Sequence, residues 1–479
     1  MSERTLNPQA SGAGLKALAR FTANIDIAAL PVAIPRRAQA CLLYGLAVAT
    51  ASAESKLPHL AAAALDAEGT PASGRATRLL DGQRNTAGCA AFANAVLMHA
   101  RTQEDAHPAG HVGVVIVPAA LAVGEHVDAS GNELLAAIVA GYEVALRIGR
   151  DHVADASIRG LRSTSLYGVF GAAAAASRLL GLDPRKTMHA LALAANAAGG
   201  LREFVQAGTE EFPFHAGMAA RNGITAAFLA QANVVAAPTS LDGVAGFFRA
   251  FGDADTNYGG RIEERLGQDF ELENVTYKPY PTCQFHRSVV RGVLHLRERS
   301  PDAQLQSMQI RMNPFEANFF GVRYAGPYTS FSQTFMSAPY CAALAWNSGA
   351  VTYRGLHDFD KPATLRGIAR VEVIADPGRP RYMPHIAVRY ADGKECAWEE
   401  RAGAEDFRLT WEAAETMTHA LAQEAGVPEG AESELVESID QLSGNGTIAQ
   451  VISACRAAIG QSKAHNNSRF LSPTEEIAE

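Results

Sequence analysis

The sequence has no C-x-x-C pair, no cluster of lysine and arginine, and no charge-free apolar stretch of membrane-spanning length. Its six cysteines (Cys41, Cys89, Cys283, Cys341, Cys396 and Cys455) are scattered over 479 residues, which indicates neither a disulfide framework nor a cysteine zinc site and points to a reducing compartment. The most apolar stretch, Leu166 to Leu182, is interrupted by Arg178, and the first residues, MSERTLNPQASGAGLKALARF, lack the apolar core of a signal peptide. A soluble, cytoplasmic protein is expected, with no membrane partner. A net charge of -8 and a pI near 6.0 argue against nucleic acid as a partner, because counterion release needs clustered cations. A local group of arginines can still bind a small anion inside an acidic protein.

What is present is a chain built to fold throughout: 48% of residues are apolar, 19% are charged, and no polar low-complexity tract or internal repeat interrupts them. The length exceeds what one compact core holds, so two domains are expected. From about Ile34 to Leu266 the sequence is alanine-rich, and segments such as ELLAAIVAGYEVALRIGR place apolar residues three and four apart, the spacing of helices. In GVFGAAAAASRLLGLDPRK, small residues permit close helix contacts, Gly181 marks a helix end, and Asp183-Pro184 caps and opens the next helix. Near residue 270 the texture changes to VTYKPYPTCQFH, followed by strand-like runs at SMQIRMN, RVEVIAD and HIAVRYADGKECAW, with Asp392-Gly393 as a hairpin signal. Helical composition returns from about Asp406 and ends in a polar tail, SKAHNNSRFLSPTEEIAE. The fold class is therefore mainly α with an α+β second domain: a helical domain over 1–268, an α+β domain over 269–405, and a segment over 406–479 that can rejoin the first.

Four segments gather chemistry-bearing residues. Arg101-Thr-Gln-Glu104-Asp105-Ala-His107-Pro108-Ala-Gly110-His111 combines two carboxylates with two histidines. The H-x-x-x-H spacing suits a metal on a helix, but Pro108 and Gly110 disfavour a helix there, so no metal is assigned and a solvated polar loop stays open as the plainer reading. Arg162-Ser163-Thr164-Ser165 precedes a long helix, where hydroxyls can cap, or the helix start and Arg162 can hold an anion. His215 and Arg221 lie among small residues in FHAGMAARNG, where a lone histidine is more often a satisfied core group. Lys278-Pro-Tyr280-Pro-Thr-Cys283-Gln-Phe-His286-Arg287 is dense in reactive types, yet Cys283 without a demonstrated base reads as a buried thiol.

Taken in order, HPAGH with VPAALAVGE, GYEVALRIG, STSLYGVFGAAAAASRLLGLD, HAGMAARNGITAAFLA, DGVAGFF and YKPYPTCQFH resemble the MmgE/PrpD family, which includes 2-methylcitrate dehydratase, cis-aconitate decarboxylase and iminodisuccinate epimerase. The resemblance spans roughly residues 85 to 290, with weaker agreement to about 400. It implies a large helical domain with a smaller α+β lid domain, homodimeric assembly, and a small polycarboxylate substrate handled with no metal or organic cofactor. By matching position it implies His111, Lys278 and His286 as catalytic residues, together with Tyr340 in SQTFMSAPYCAALA. Arg101, Asp105, His107, Arg162, Ser163, His215 and Arg221 are the accompanying candidates for substrate binding. The chain departs from the family pattern where Arg101 replaces an aspartate, Arg162 a histidine and Phe212 a lysine.

The expected activity is a lyase, dehydratase or decarboxylase, acting on a di- or tricarboxylic acid by proton transfer beside a carboxylate. Cations that bind carboxylates and one acid/base pair suffice for that chemistry. An epimerase or isomerase of an amino- or iminodicarboxylate would use nearly the same residues, and STSLYGVFGA and HAGMAARNG resemble that branch. The three departures leave room for a third reading, a catalytically impaired homologue that binds carboxylates or serves as a scaffold.

Overall fold

The computed structural model describes residues 12–69, 74–253 and 256–462. The first eleven residues and the polar tail from Lys463 lie outside the described residues. The chain divides into two compact units: one takes in Met1–Leu201, Pro213–Tyr277 and Leu409–Glu479, the other Arg202–Phe212 and Lys278–Arg408. The divisions thus fall at Tyr277/Lys278 and Arg408/Leu409, and the second unit borrows a short stretch, 202–212, from the middle of the helical sequence.

The larger unit is helical because its sequence is both amphipathic and rich in small residues. Helices Gly113–Val127, Gly131–Gly149 and Ser163–Leu179 pack in its core. Ser130 and Glu133 form a capping box that starts the second of them. Close packing depends on glycine: a Cβ on Gly141 would lie 2.6 Å from Ile116 and 3.0 Å from the Gly171 carbonyl, and one on Gly168 would lie 2.7 Å from Val115. Gly181, at φ 63°, ends the third helix, and the Asp183 side chain accepts from the Lys186 N–H with Pro184 in the first turn of the next. The late helix Trp411–Ala425 returns to this unit and packs beside Ala33–Ala51, where the Arg36 guanidinium lies 3.8 Å over the Trp411 ring. No helix among the described residues is long and apolar enough to cross a membrane.

In this unit Ala76–Thr77 (β1) and Arg84–Asn85 (β2) form a minimal hairpin. The second unit is built on a four-stranded sheet of Leu305–Met312 (β3), Val371–Ala375 (β4), His385–Tyr390 (β5) and Glu395–Glu399 (β6), in the order β4-β3-β5-β6. β3 pairs parallel with β4 and antiparallel with β5. Met308, Ile310, Ile386 and Val388 alternate inward, the pattern of a sheet with one covered face. Helix Arg287–Glu298 covers that face so closely that a Cβ on Gly292 would meet Trp398 at 2.2 Å and Ile386 at 2.7 Å. Asp392-Gly393 turns β5 into β6, with Gly393 at φ 86° and the Asp392 carboxylate accepting from the Lys394 N–H at 3.0 Å.

Candidate active site

The helix Ala87–His99 ends at a sharp turn that reverses the chain. Thr102 sits at φ 52°, a left-handed conformation that β-branched residues rarely adopt, and its N–H bonds the His99 carbonyl at 3.0 Å. The reversal brings Glu104 back onto the helix end, where its Oε2 lies 3.0 Å from His99 Nδ1. The other ring nitrogen of His99, Nε2, lies 2.8 Å from Arg162 Nη2. A buried chain of carboxylate, imidazole and guanidinium results, with His99 and Glu104 fully enclosed.

His111 stands beside that chain. Its Nδ1 lies 3.0 Å from the Asp105 carbonyl oxygen and 3.6 Å from Glu104 Oε1. Both neighbours are acceptors, so the ring proton belongs on Nδ1 and the lone pair on Nε2. Its side chain is 12% exposed, against 0% for His99 and 5% for His107, which makes it the histidine of this loop best placed to meet a substrate.

The neighbouring candidates are held by the fold. Asp105 accepts from the Tyr142 hydroxyl at 2.5 Å, and Gly113 is required there because a Cβ would lie 2.2 Å from that oxygen and 2.4 Å from Asp105 Oδ1. Burial, then the Asp105 charge, pushes the Tyr142 phenol well above its ordinary range. His107 Nδ1 accepts from the Ala109 N–H at 3.1 Å and its Nε2 lies 3.4 Å from Glu271. Burial would raise the Glu271 pKa, but His107 and Arg150 outweigh it and hold the carboxyl at about 2. The two histidines of H-x-x-x-H therefore face different partners, one Glu271 and the other Asp105 and Glu104.

The two arginines that replace family residues differ in role. Arg101 is fully buried and donates to Gln103 Oε1 (3.0 Å), the Ala51 carbonyl (3.2 Å) and Glu424 Oε2 (2.6 Å), so it fastens the loop to the late helix. Arg162 is the N-cap of the 163–179 helix, and its N–H bonds the Gly200 carbonyl at 2.9 Å. The hydroxyl cap expected here does not form: Ser163 is the first helical residue, and Ser165 Oγ instead donates to the Gly199 carbonyl at 2.6 Å. His215 lies half-buried on the helix Phe212–Gln231, and Arg221 forms a surface ion pair with Glu68 at 2.7 Å, so Arg221 joins helices rather than the 99–111 loop. Phe212, at the lysine position, is fully buried edge-on to Phe335 at 5.4 Å, in a setting that has no place for an ammonium group.

The second unit holds the remaining three candidates. Lys278 is buried at the first position of the stretch 278–408. The His286 ring is fully buried, and burial pushes its pKa down to about 4, with only the Phe335 backbone pulling the other way. Tyr340 donates its hydroxyl to the carbonyls of Asp358 (2.8 Å) and Gly355 (3.1 Å), and burial raises its phenol pKa. Cys283 is a buried thiol whose N–H bonds the Phe335 carbonyl at 3.0 Å. From sequence, Glu104 stands among the carboxylates of the 101–111 segment with no role given to it, and His99 is passed over, its only signal being a histidine at the end of an apolar helix five positions before that carboxylate.

A model of the MmgE/PrpD N-terminal domain matches residues 16–258. The chain is 27% identical over 328 residues to cis-aconitate decarboxylase of Homo sapiens, covering 63% of this chain and 64% of that protein. It is 31% identical over 301 residues to the cis-aconitate decarboxylase-like protein oryM of Aspergillus oryzae (57% and 59% covered), and 35% identical over 164 residues to cis-aconitate decarboxylase of Mus musculus (33% of each). The chain thus spans less than two-thirds of the length of these curated relatives. The stretch matched by the family model contains the whole 99–111 loop and Arg162, and stops short of Lys278, His286 and Tyr340.

Proposed function

Because this chain belongs to the MmgE/PrpD family, we propose that it is a lyase that removes carbon dioxide or water from a small di- or tricarboxylic acid, with decarboxylation of a cis-aconitate-like acid as the first reaction to test. The observation that carries this reading is His111: its Nδ1 lies 3.0 Å from the Asp105 carbonyl oxygen and 3.6 Å from Glu104, which places the ring proton on Nδ1 and makes Nε2 the basic nitrogen of a partly exposed imidazole. In a decarboxylation the bond to one carboxylate breaks, carbon dioxide leaves, and the electron pair spreads toward a remaining carboxylate before carbon takes up a proton. His111 takes up a proton from solvent at Nε2 and delivers it to that carbon, while Arg162 binds a carboxylate and stabilises the developing negative charge. These residues suffice for the chemistry without a metal or organic cofactor. The names of the matched relatives favour loss of carbon dioxide over loss of water.

The test is proton NMR of the purified protein in deuterated buffer with citrate-, aconitate- and aminodicarboxylate-type acids. A decarboxylated or dehydrated product supports the lyase. Isotope exchange at the α-carbon without net product would instead establish an epimerase, and silence across the panel would overturn both.

A further inference from the structure

The chain Glu104–His99–Arg162 lies within one unit and is more constrained than a buried ion pair needs to be. Glu104, as a carboxylate, only accepts hydrogen bonds, and Arg162 only donates them. The imidazole between them lies 3.0 Å from one and 2.8 Å from the other: Arg162 can only donate to Nε2, which puts the lone pair there and the proton of the neutral ring on Nδ1, facing the Glu104 carboxylate at ion-pair distance without the alignment of a hydrogen bond. A second proton would set an N–H of His99 against an N–H of the guanidinium. His99 is therefore unsuited to carry protons, and its geometry suits it to hold a cation in place. Glu104 also approaches His111 Nδ1 with its other oxygen, at 3.6 Å, so one carboxylate faces both histidines.

We infer that His99 is a positioning residue that fixes the Arg162 guanidinium for a substrate carboxylate, and that Glu104 couples this anion-binding group to His111. The inference rests on the proposed carboxylate chemistry of the site for its ligand, but not for the state of His99. The backbone supports the same function: Arg162 is pinned at the helix N-cap by the Gly200 carbonyl, and a Cβ on Gly200 would lie 3.2 Å from the Arg162 Cβ. Main chain and side chain of Arg162 are thus fixed by different partners, which limits the entropy lost when a ligand binds.

Two measurements test this. The first needs no ligand: in ¹⁵N-histidine-labelled protein, long-range ¹H–¹⁵N spectra should show His99 protonated at Nδ1, bare at Nε2, and unchanged between pH 6 and 8. The opposite tautomer, or an imidazolium, overturns the inference whatever the enzyme does. The second compares His99→Phe with His99→Gln, whose amide oxygen can still accept from Arg162. Losing the hydrogen bond to the Arg162 guanidinium should weaken tricarballylate binding by calorimetry, and raise KM, about 10- to 100-fold in His99→Phe with kcat within about threefold, and His99→Gln should recover most of the loss. A fall in kcat at unchanged KM and unchanged tricarballylate affinity would overturn the positioning role, as would equal behaviour of the two variants. If tricarballylate fails to bind the unaltered protein, the proposed function falls, and the spectra alone decide the state of His99.

Discussion

His111 and His286 each follow a proline within a few residues in a segment crowded with polar types, yet the two units surround them differently. His111 keeps a polar side, with the Asp105 carbonyl at 3.0 Å and Glu104 at 3.6 Å from one nitrogen, and it retains partial exposure. His286 is enclosed at the start of the 287–298 helix, and burial holds it neutral down to a pH of about 4. Phe285 beside it makes edge-on ring contacts with Phe315 and Phe319. A high density of reactive residue types along the chain therefore does not make a reactive environment. The environment is set by which groups the fold brings to each ring.

The comparison can be broken most directly at His111. His111→Asn should lower kcat by about two to four decades if the imidazole carries the proton, measured as initial rates on whichever acid turns over. Unchanged turnover would remove it from the mechanism. The next largest effect is on stability. In Arg101→Met, loss of the contacts to Gln103, Ala51 and Glu424 should cost about 2–4 kcal/mol in denaturant unfolding, with KM unchanged below the transition. A raised KM in stable protein would return Arg101 to the binding groups.

His286 sharpens the contrast through pH. Its folded pKa, about 4, lies below the ordinary value of 6.5, so between those values the unfolded chain takes up a proton that the folded one does not. Its contribution is fully present above about pH 6.5, is lost as the pH falls toward 4, and amounts to roughly 3 kcal/mol. His286→Phe should flatten stability over that window. A variant with the same pH dependence as the parent would mean that His286 is not the group responsible.

Much of the architecture is legible because it is local. The three- and four-residue apolar spacing marks the 131–149 helix, Asp183-Pro184 marks the start of Pro184–Asn196, and Asp392-Gly393 marks the turn between β5 and β6. The 202–212 stretch is not legible, because its aromatic anchors find their partners more than a hundred residues away, as when Phe212 meets Phe335. The site divides in the same way. His111 follows from the H-P-x-x-H motif, but the approach of Glu104 to His99 depends on Thr102 adopting a conformation contrary to its own preference. Arg101 and Arg162 are the same residue type in similar polar segments. Their roles are separated by partners 323 and 63 residues away in sequence, Glu424 for one and His99 for the other.

The smallest expected effect concerns Tyr340. Its hydroxyl donates to the Asp358 and Gly355 carbonyls, so its proton serves to hold the 355–358 turn, and its ring stands edge-on to Tyr328 at 4.9 Å. Burial raises the pKa of the phenol, which disfavours the phenolate that a proton relay would have to form. Tyr340→Phe keeps the ring and removes only the donor, so stability should fall by about 1 kcal/mol and kcat should stay within about threefold. A loss of kcat of a hundredfold or more at unchanged stability would show that the hydroxyl leaves those carbonyls during turnover. In that case the enclosed phenol would take part in turnover, and the contrast between the environments of His111 and Tyr340 would hold only for the resting protein.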